Sequence, residues 1–306
     1  MGSSGAPNSG AAILFCILFG LVTSVHTYQL LRTRIWWFIP FVVGGYLEFI
    51  GFICRAVVSY QDPISTSARV PNIIMTVFIL IAPVWFAASI YILFGRIILL
   101  LQANHLAIIK QKWLTGIFVT GDVLSLVIQV AGAVMLTGTN SNNQSQSNLN
   151  TAKIVIDFGL AAQIVSFGFF IVTAIVLHRR ILKQPAIASN VPWKKHLYTV
   201  YLTSTIIMCR CIFRLVEYLL GTNGPIWPHE AYQYGFDSTL MFFVMVAFAV
   251  IHPSEVHAIL KGGGLVAFHG LRTKLHEGSI DSPIFSSTDR TEEQPYEMRL
   301  QPVKSY

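Results

Sequence analysis

Arg210, Arg214 and Glu217 stand at i, i+4 and i+7 inside the apolar stretch 197–220, so two guanidinium groups and a carboxylate share one face of a single helix. The chemistry such a face offers is ion pairing and headgroup recognition, because arginine's planar fork holds a carboxylate or a lipid phosphate through two parallel hydrogen bonds. An ionised side chain near the centre of a bilayer costs roughly 2.5–3.5 kcal/mol even on lenient insertion scales, so these groups face a bundle interior and pair there. Other stripes repeat the pattern. Gly44, Glu48, Gly51 and Arg55 follow i, i+4, i+7, i+11; Asp122, Ser125, Gln129 and Gly132 form a second stripe; Gly159, Gln163 and Ser166 form a third, with Asp157 nearby. Arg96 and Asp237 add two further intramembrane charges.

The elements that position these groups are transmembrane helices. Charged residues make up 11% of the chain, against about 25% in ordinary soluble domains, while 54% is apolar and the mean hydropathy is +0.60. Runs of about 20 apolar residues predict seven spans near 11–31, 35–59, 72–100, 115–137, 153–178, 197–220 and 234–252. The expected architecture is an all-α membrane protein: residues 1–10 as an extracellular N-terminus, 11–252 as a seven-helix transmembrane domain, and 253–306 as a cytosolic, largely disordered tail. Basic residues fill alternate connections, with Arg32 and Arg34, then Lys110 and Lys112, then Arg179, Arg180, Lys183, Lys194 and Lys195, followed by Lys261, Arg272 and Lys274 in the tail, whereas the second connection has Arg69 and the fourth and sixth have none beyond Lys153 at a span edge. The positive-inside rule therefore places the N-terminus outside and the C-terminus in the cytosol, and the net charge of +7 reflects orientation rather than nucleic-acid binding.

On that orientation Arg55, Asp157, Arg214, Glu217 and Asp237 lie toward the outer leaflet, Glu48 and Arg210 nearer the middle, and Arg96 and Asp122 toward the cytosol. The layers suggest pairing of Arg96 with Asp122, and of Arg55, Arg210 or Arg214 with Glu48, Glu217 or Asp237. Ion pairs that merely fix helix register are the bland alternative, but three arginines and three or four carboxylates exceed what one interhelical latch requires. Pro83 is expected to bend the third span. The polar connection 138–150 reads as a mobile outer tether and carries Asn143-Gln144-Ser145, a glycosylation sequon. The N-terminus lacks the basic region and cleavage site of a secretory signal, so the first span is expected to be retained. His26, His229 and His252 show no metal-ligand spacing and read as interfacial, and the tryptophans Trp36, Trp37, Trp85, Trp113, Trp193 and Trp227 read mostly as interfacial anchors. Gly262-Gly263-Gly264 lacks the following Lys-Ser/Thr of a phosphate loop. No cofactor, metal site or catalytic residue is expected.

Five ordered blocks carry a resemblance: Glu48-x-x-Gly51-x-x-x-Arg55; Ala82-Pro83-x-x-Phe86-Ala87-Ala88-Ser89-Ile90-Tyr91 leading to Gly95-Arg96; Phe118-x-x-x-Asp122-x-x-Ser125-x-x-x-Gln129; Arg210-x-x-x-Arg214-x-x-Glu217-Tyr218; and His229-Glu230 with Phe236-Asp237. Together they resemble the fungal RTA1-like proteins, also called the lipid-translocating exporter family. The resemblance implies a membrane protein, not an enzyme, linked to resistance against toxic amphiphiles through export or flipping of sphingoid long-chain bases or phospholipid-like molecules. It implies membrane lipids or amphiphilic small molecules as partners and the plasma membrane as the location, with an internal membrane as the alternative. Glu48, Arg55, Arg96, Asp122, Gln129, Arg210, Arg214, Glu217, Glu230 and Asp237 carry over as motif positions. The competing expectation is a seven-span sensor or regulator of lipid asymmetry without transport of its own.

Overall fold

Helices account for all regular structure in the computed structural model, which describes residues 9–61, 66–138, 146–184, 193–220 and 230–261. In chain order they are α1 (Ser9–Thr33), a 3-10 turn (Trp36–Phe38) running into α2 (Ile39–Ser59), α3 (Thr66–Leu100), α4 (Gln111–Gly138), α5 (Gln146–Leu182) and α6 (Trp193–Leu220). A short α7 (Glu230–Gln233) passes through a π turn (Tyr234–Ser238) into α8 (Thr239–Val250), and α9 (Ser254–Leu260) follows. Among the described residues, six helices are long and apolar enough to cross a membrane alone. A seventh span results if Tyr234–Val250 and Ser254–Leu260, which meet at a 40° bend, count together. The chain is an integral, multi-pass membrane protein.

Most helices outrun the apolar stretches that reveal them: α4 starts at Gln111, α5 at Gln146 and α6 at Trp193. Hydropathy marks only the part that needs lipid, whereas backbone hydrogen bonding carries a helix on into its polar flanks. The expected connection 138–150 accordingly narrows to 139–145, and the sequon at Asn143 lies outside the described residues. The bend expected at Pro83 does not break α3, which runs unbroken over 35 residues with Pro71 and Pro83 inside it.

Packing places α3 and α6 centrally. α3 touches α2, α4, α6 and α9, while α6 touches α5 and α8, and α8 returns to α1. Missing side chains allow the closest approaches. A Cβ on Gly44 would sit 2.8 Å from Phe86 and one on Gly51 2.8 Å from Ile79, so α2 lies hard against α3 around Pro83. Between α4 and α5 the contact is reciprocal. A Cβ on Gly159 would meet the Ser125 carbonyl at 2.9 Å, and one on Gly132 the Ala152 carbonyl at 3.0 Å. Aromatic groups fill the remaining core in three clusters: Phe15, Phe19, Phe52 and Tyr234; Phe38, Phe41, Phe86 and Phe248; and Tyr91, Phe118, Phe167 and Phe170.

Candidate functional site

The charged stripe of α6 meets the start of the last span at what we term the π-turn end. Arg210 contacts Asp237 at 2.5 Å, and Arg214 bonds both Asp237 and Glu217, the latter at 3.3 Å. Asp237 thus serves two arginines. Gln233 donates from Nε2 to Glu217 Oε1 at 2.9 Å and accepts from Arg55 Nη2 at 3.1 Å, bridging α2 to α6. Arg55 Nε donates to the Tyr234 hydroxyl at 2.9 Å, and its guanidinium lies 4.3 Å from the Tyr234 ring centre. Gln233, Tyr234 and Asp237 lie in or beside the π turn, which interrupts the regular α pattern where these three side chains must converge; such turns recur at functional sites.

Arg210 has a further partner that is a backbone atom. Its Nη2 donates to the Ile79 carbonyl at 3.0 Å. In an unbroken α-helix that carbonyl would accept from the amide of residue 83, but residue 83 is proline and carries no N–H. The acceptor released inside α3 is therefore taken up by α6.

Glu48 stands apart. It is 1% exposed, lies within electrostatic reach of Asp237, Arg210 and Arg214, and among the described residues neither of its carboxylate oxygens has a hydrogen-bond partner. Asp237, not Glu48, holds Arg210 and Arg214.

Arg96 and Asp122 do not pair. Tyr91 donates its hydroxyl to Asp122 Oδ2 at 2.5 Å, while the Arg96 guanidinium lies 5.8 Å from the ring centre of Trp37. The expected depth was compatible with an ion pair, but a phenol one and a half turns before Arg96 reaches the carboxylate first. Asp122 opens a neutral seam between α4 and α5, in which Gln129 Nε2 donates to Gln163 Oε1 at 2.8 Å. Glu230 begins α7 at the π-turn end.

The opposite end, where α9 packs, corrects the reading of two histidines as interfacial. His26 and His252 are both buried, His26 donating from Nε2 to the Met245 carbonyl at 2.9 Å. His229 lies outside the described residues. Trp193 is likewise fully enclosed by protein rather than exposed as an anchor, packing edge-on against His178. At this end His196 bonds Glu255 of α9 at 3.0 Å, Lys195 pairs with the same carboxylate, and Trp37 donates to His257 at 3.3 Å. None of these partners was singled out by spacing, because each is an isolated polar residue whose neighbour comes from a distant helix. Gln233 and Tyr234 were within reach of sequence reasoning, standing four and three residues before Asp237.

A family profile described as RTA1 like protein matches residues 41–259, from the first turn of α2 almost to the end of α9. The chain belongs to the RTA1-like family. All the members of the π-turn cluster fall within the matched RTA1-like region. Protein RTA1 of Saccharomyces cerevisiae is 38% identical over 218 residues, covering 71% of this chain and 65% of that protein. Protoporphyrin uptake protein 1 of the same species is 31% identical, covering 80% of this chain and 89% of that protein. The Sphingoid long-chain base transporter RSB1, also from Saccharomyces cerevisiae, is 24% identical over 94% of this chain and 80% of its own length. No solved structure matches this RTA1-like chain.

Proposed function

We propose that this RTA1-like protein moves amphiphilic lipids across the membrane and is a transporter rather than an enzyme. The observation that carries the reading is the π-turn cluster: three arginines and two carboxylates, drawn from α2, α6 and the last span and held in the bundle by exchangeable polar contacts, with the unbonded carboxyl of Glu48 beside them. A headgroup entering it meets two different surfaces. An ammonium head can take Glu48 without first displacing an arginine, whereas a phosphate must compete with Asp237 or Glu217 for Arg210 and Arg214. The tail of the lipid stays in the bilayer while the head crosses. Relatives named for sphingoid-base and porphyrin handling support an amphiphile as the cargo.

The distribution of basic residues supports an N-terminus outside and a C-terminus in the cytosol, which sets the π-turn end toward the outer leaflet and α9 toward the cytosol. Residues 1–10 and the sequon at Asn143 then face outward, 11–252 form the membrane domain, and 253–306 are cytosolic; the plasma membrane is the proposed location. Arg96, Asp122, Gln129 and Glu230 support the site as motif positions, Asp122 and Gln129 through the neutral seam.

The test is transbilayer movement of fluorescent sphingoid base and fluorescent phospholipid in liposomes holding the purified protein, compared with Glu217→Gln and Arg214→Gln. Movement above protein-free liposomes that falls in folded variants is the expected result. Lipid binding by folded protein without any change in crossing rate would replace transport with a sensor or regulator.

A further inference from the structure

The α9 end gathers buried polar atoms that the π-turn cluster leaves unused. His26 and Gln29 come from α1, His196 from α6, and His252 from the link between α8 and α9. All four are buried, the His26 and His252 rings stand 6.5 Å apart, and His196 is within electrostatic reach of His252. Each spends one polar atom on the protein and has one left over. His26 Nε2 donates to the Met245 carbonyl, His196 Nε2 to Glu255, and Gln29 Nε2 to the Ala249 carbonyl at 3.0 Å. The Ser254 amide donates to His252 Nδ1 at 3.3 Å. Among the described residues no hydrogen-bond partner meets the remaining atoms of these four, His26 Nδ1, His196 Nδ1, Gln29 Oε1 and His252 Nε2.

The bonds already made fix what the free atoms can do. A ring nitrogen facing a carbonyl or carboxylate carries the hydrogen, so in the uncharged ring the other nitrogen of His26 and of His196 is an acceptor. His252 is reversed: Nδ1 accepts, so Nε2 bears the N–H. The set is three acceptors and one donor. Orphaned buried polar atoms each cost free energy comparable to a lost hydrogen bond, and four around one short segment of chain call for a shared partner. Phe38 and Phe41 pack against these rings, Phe41 at 4.8 Å from His26 and Phe38 at 5.4 Å from His252, adding aromatic surface that suits a cation.

We propose that His26, Gln29, His196 and His252 form a second headgroup site, specific for an amino-alcohol head that donates several hydrogen bonds. A phosphate or sulfate brings acceptors to acceptors and is refused here. The inference deepens the transport reading and rests on it for the identity of the cargo as an amphiphile. The cargo would then meet a neutral, acceptor-rich site under α9 and a charged site at the π turn, one at each end of its path.

The experiment uses the full chain in nanodiscs and reads binding, not transport. The probe is a short-chain amino-diol with a diazirine beside the head, its crosslinks mapped by mass spectrometry. Crosslinks are expected on α1, α2 and the α8–α9 link around His26, Phe38 and His252, competed by unlabelled amino-diol but not by a sulfate head on the same tail. His26→Phe is expected to reduce this labelling about tenfold, the loss of one hydrogen bond to a charged head. Because that variant also strips a partner from Met245, the competition series on the unaltered protein stands as an independent readout. Crosslinks confined to lipid-facing residues, equal competition by the sulfate, or labelling unchanged in folded His26→Phe would overturn the proposal, leaving only water to satisfy these atoms. Specific labelling without transbilayer movement in liposomes would instead uphold this site and remove the transport reading; movement without specific labelling would do the reverse.

Discussion

At the π-turn end, Arg210, Arg214, Asp237 and Glu217 meet charge with charge, and Gln233 and Tyr234 bring Arg55 into the same network. At the α9 end, His26, Gln29, Trp37 and His252 use mostly neutral hydrogen bonds, with Glu255 tying α9 to α6 through Lys195 and His196. The difference is one of tolerance. A buried ion pair that loses one partner leaves an uncompensated charge, so the π-turn end is stiff toward mutation yet able to exchange one charged partner for another. A neutral bond that is lost costs less, so the α9 end is the more tolerant of mutation.

This contrast predicts a graded mutational response. Asp237→Asn strips both Arg210 and Arg214 of their shared carboxylate and is expected to cost about 3–5 kcal/mol, read as a lowered thermal midpoint and loss of monodisperse protein in detergent. A midpoint close to that of the unaltered chain would show that these arginines find other partners. Tyr234→Phe removes only the hydroxyl that accepts from Arg55 and is expected to cost about 1.5–3 kcal/mol, since the donor is charged. Gln29→Leu at the α9 end removes a neutral bond and should cost about 1 kcal/mol; a loss as large as that of Asp237→Asn would erase the distinction between the two ends. Glu48→Gln is the smallest. It breaks no hydrogen bond or ion pair and replaces a buried, unbonded carboxyl with an amide of the same shape, so the thermal midpoint should hold or rise, while movement of an ammonium-headed lipid falls more than that of a phosphate-headed one. Equal loss for the two lipids would show that Glu48 does not read the head.

The helices were legible because apolar runs have a direct physical cause, the length of the hydrocarbon core. Their ends were not, since a helix continues wherever its backbone can bond, as Gln111 and Trp193 show. The last span was the hardest. Its first turns carry Gln233, Tyr234 and Asp237, and the bend after Val250 leaves no single straight run long enough to cross. In the site, helical spacing grouped Arg210, Arg214 and Glu217 on one face, and the structure joins Arg214 to Glu217 and both arginines to Asp237. Depth alone mispaired Arg96 with Asp122, because it sorts charges by layer and ignores a neutral donor such as Tyr91 that stands closer. The burial of His26 and His252 was hidden for a related reason: nearness to a span end says nothing about whether a side chain points to lipid, water or a neighbouring helix.

The bond from Arg210 to the Ile79 carbonyl has a consequence for how this region can vary between relatives. The acceptor is a main-chain carbonyl, which every residue type carries, so the side chain at position 79 is constrained by core packing and by the space beside Gly51 rather than by this bond. Position 83 is different. Every replacement for Pro83 returns an amide hydrogen to the helix, and Arg210 then shares the Ile79 carbonyl with it instead of holding an acceptor that the helix leaves open. The bond itself should therefore tolerate a change of side chain at 79 and link 83 to 210, a coupling between a proline and an arginine that runs through one missing hydrogen.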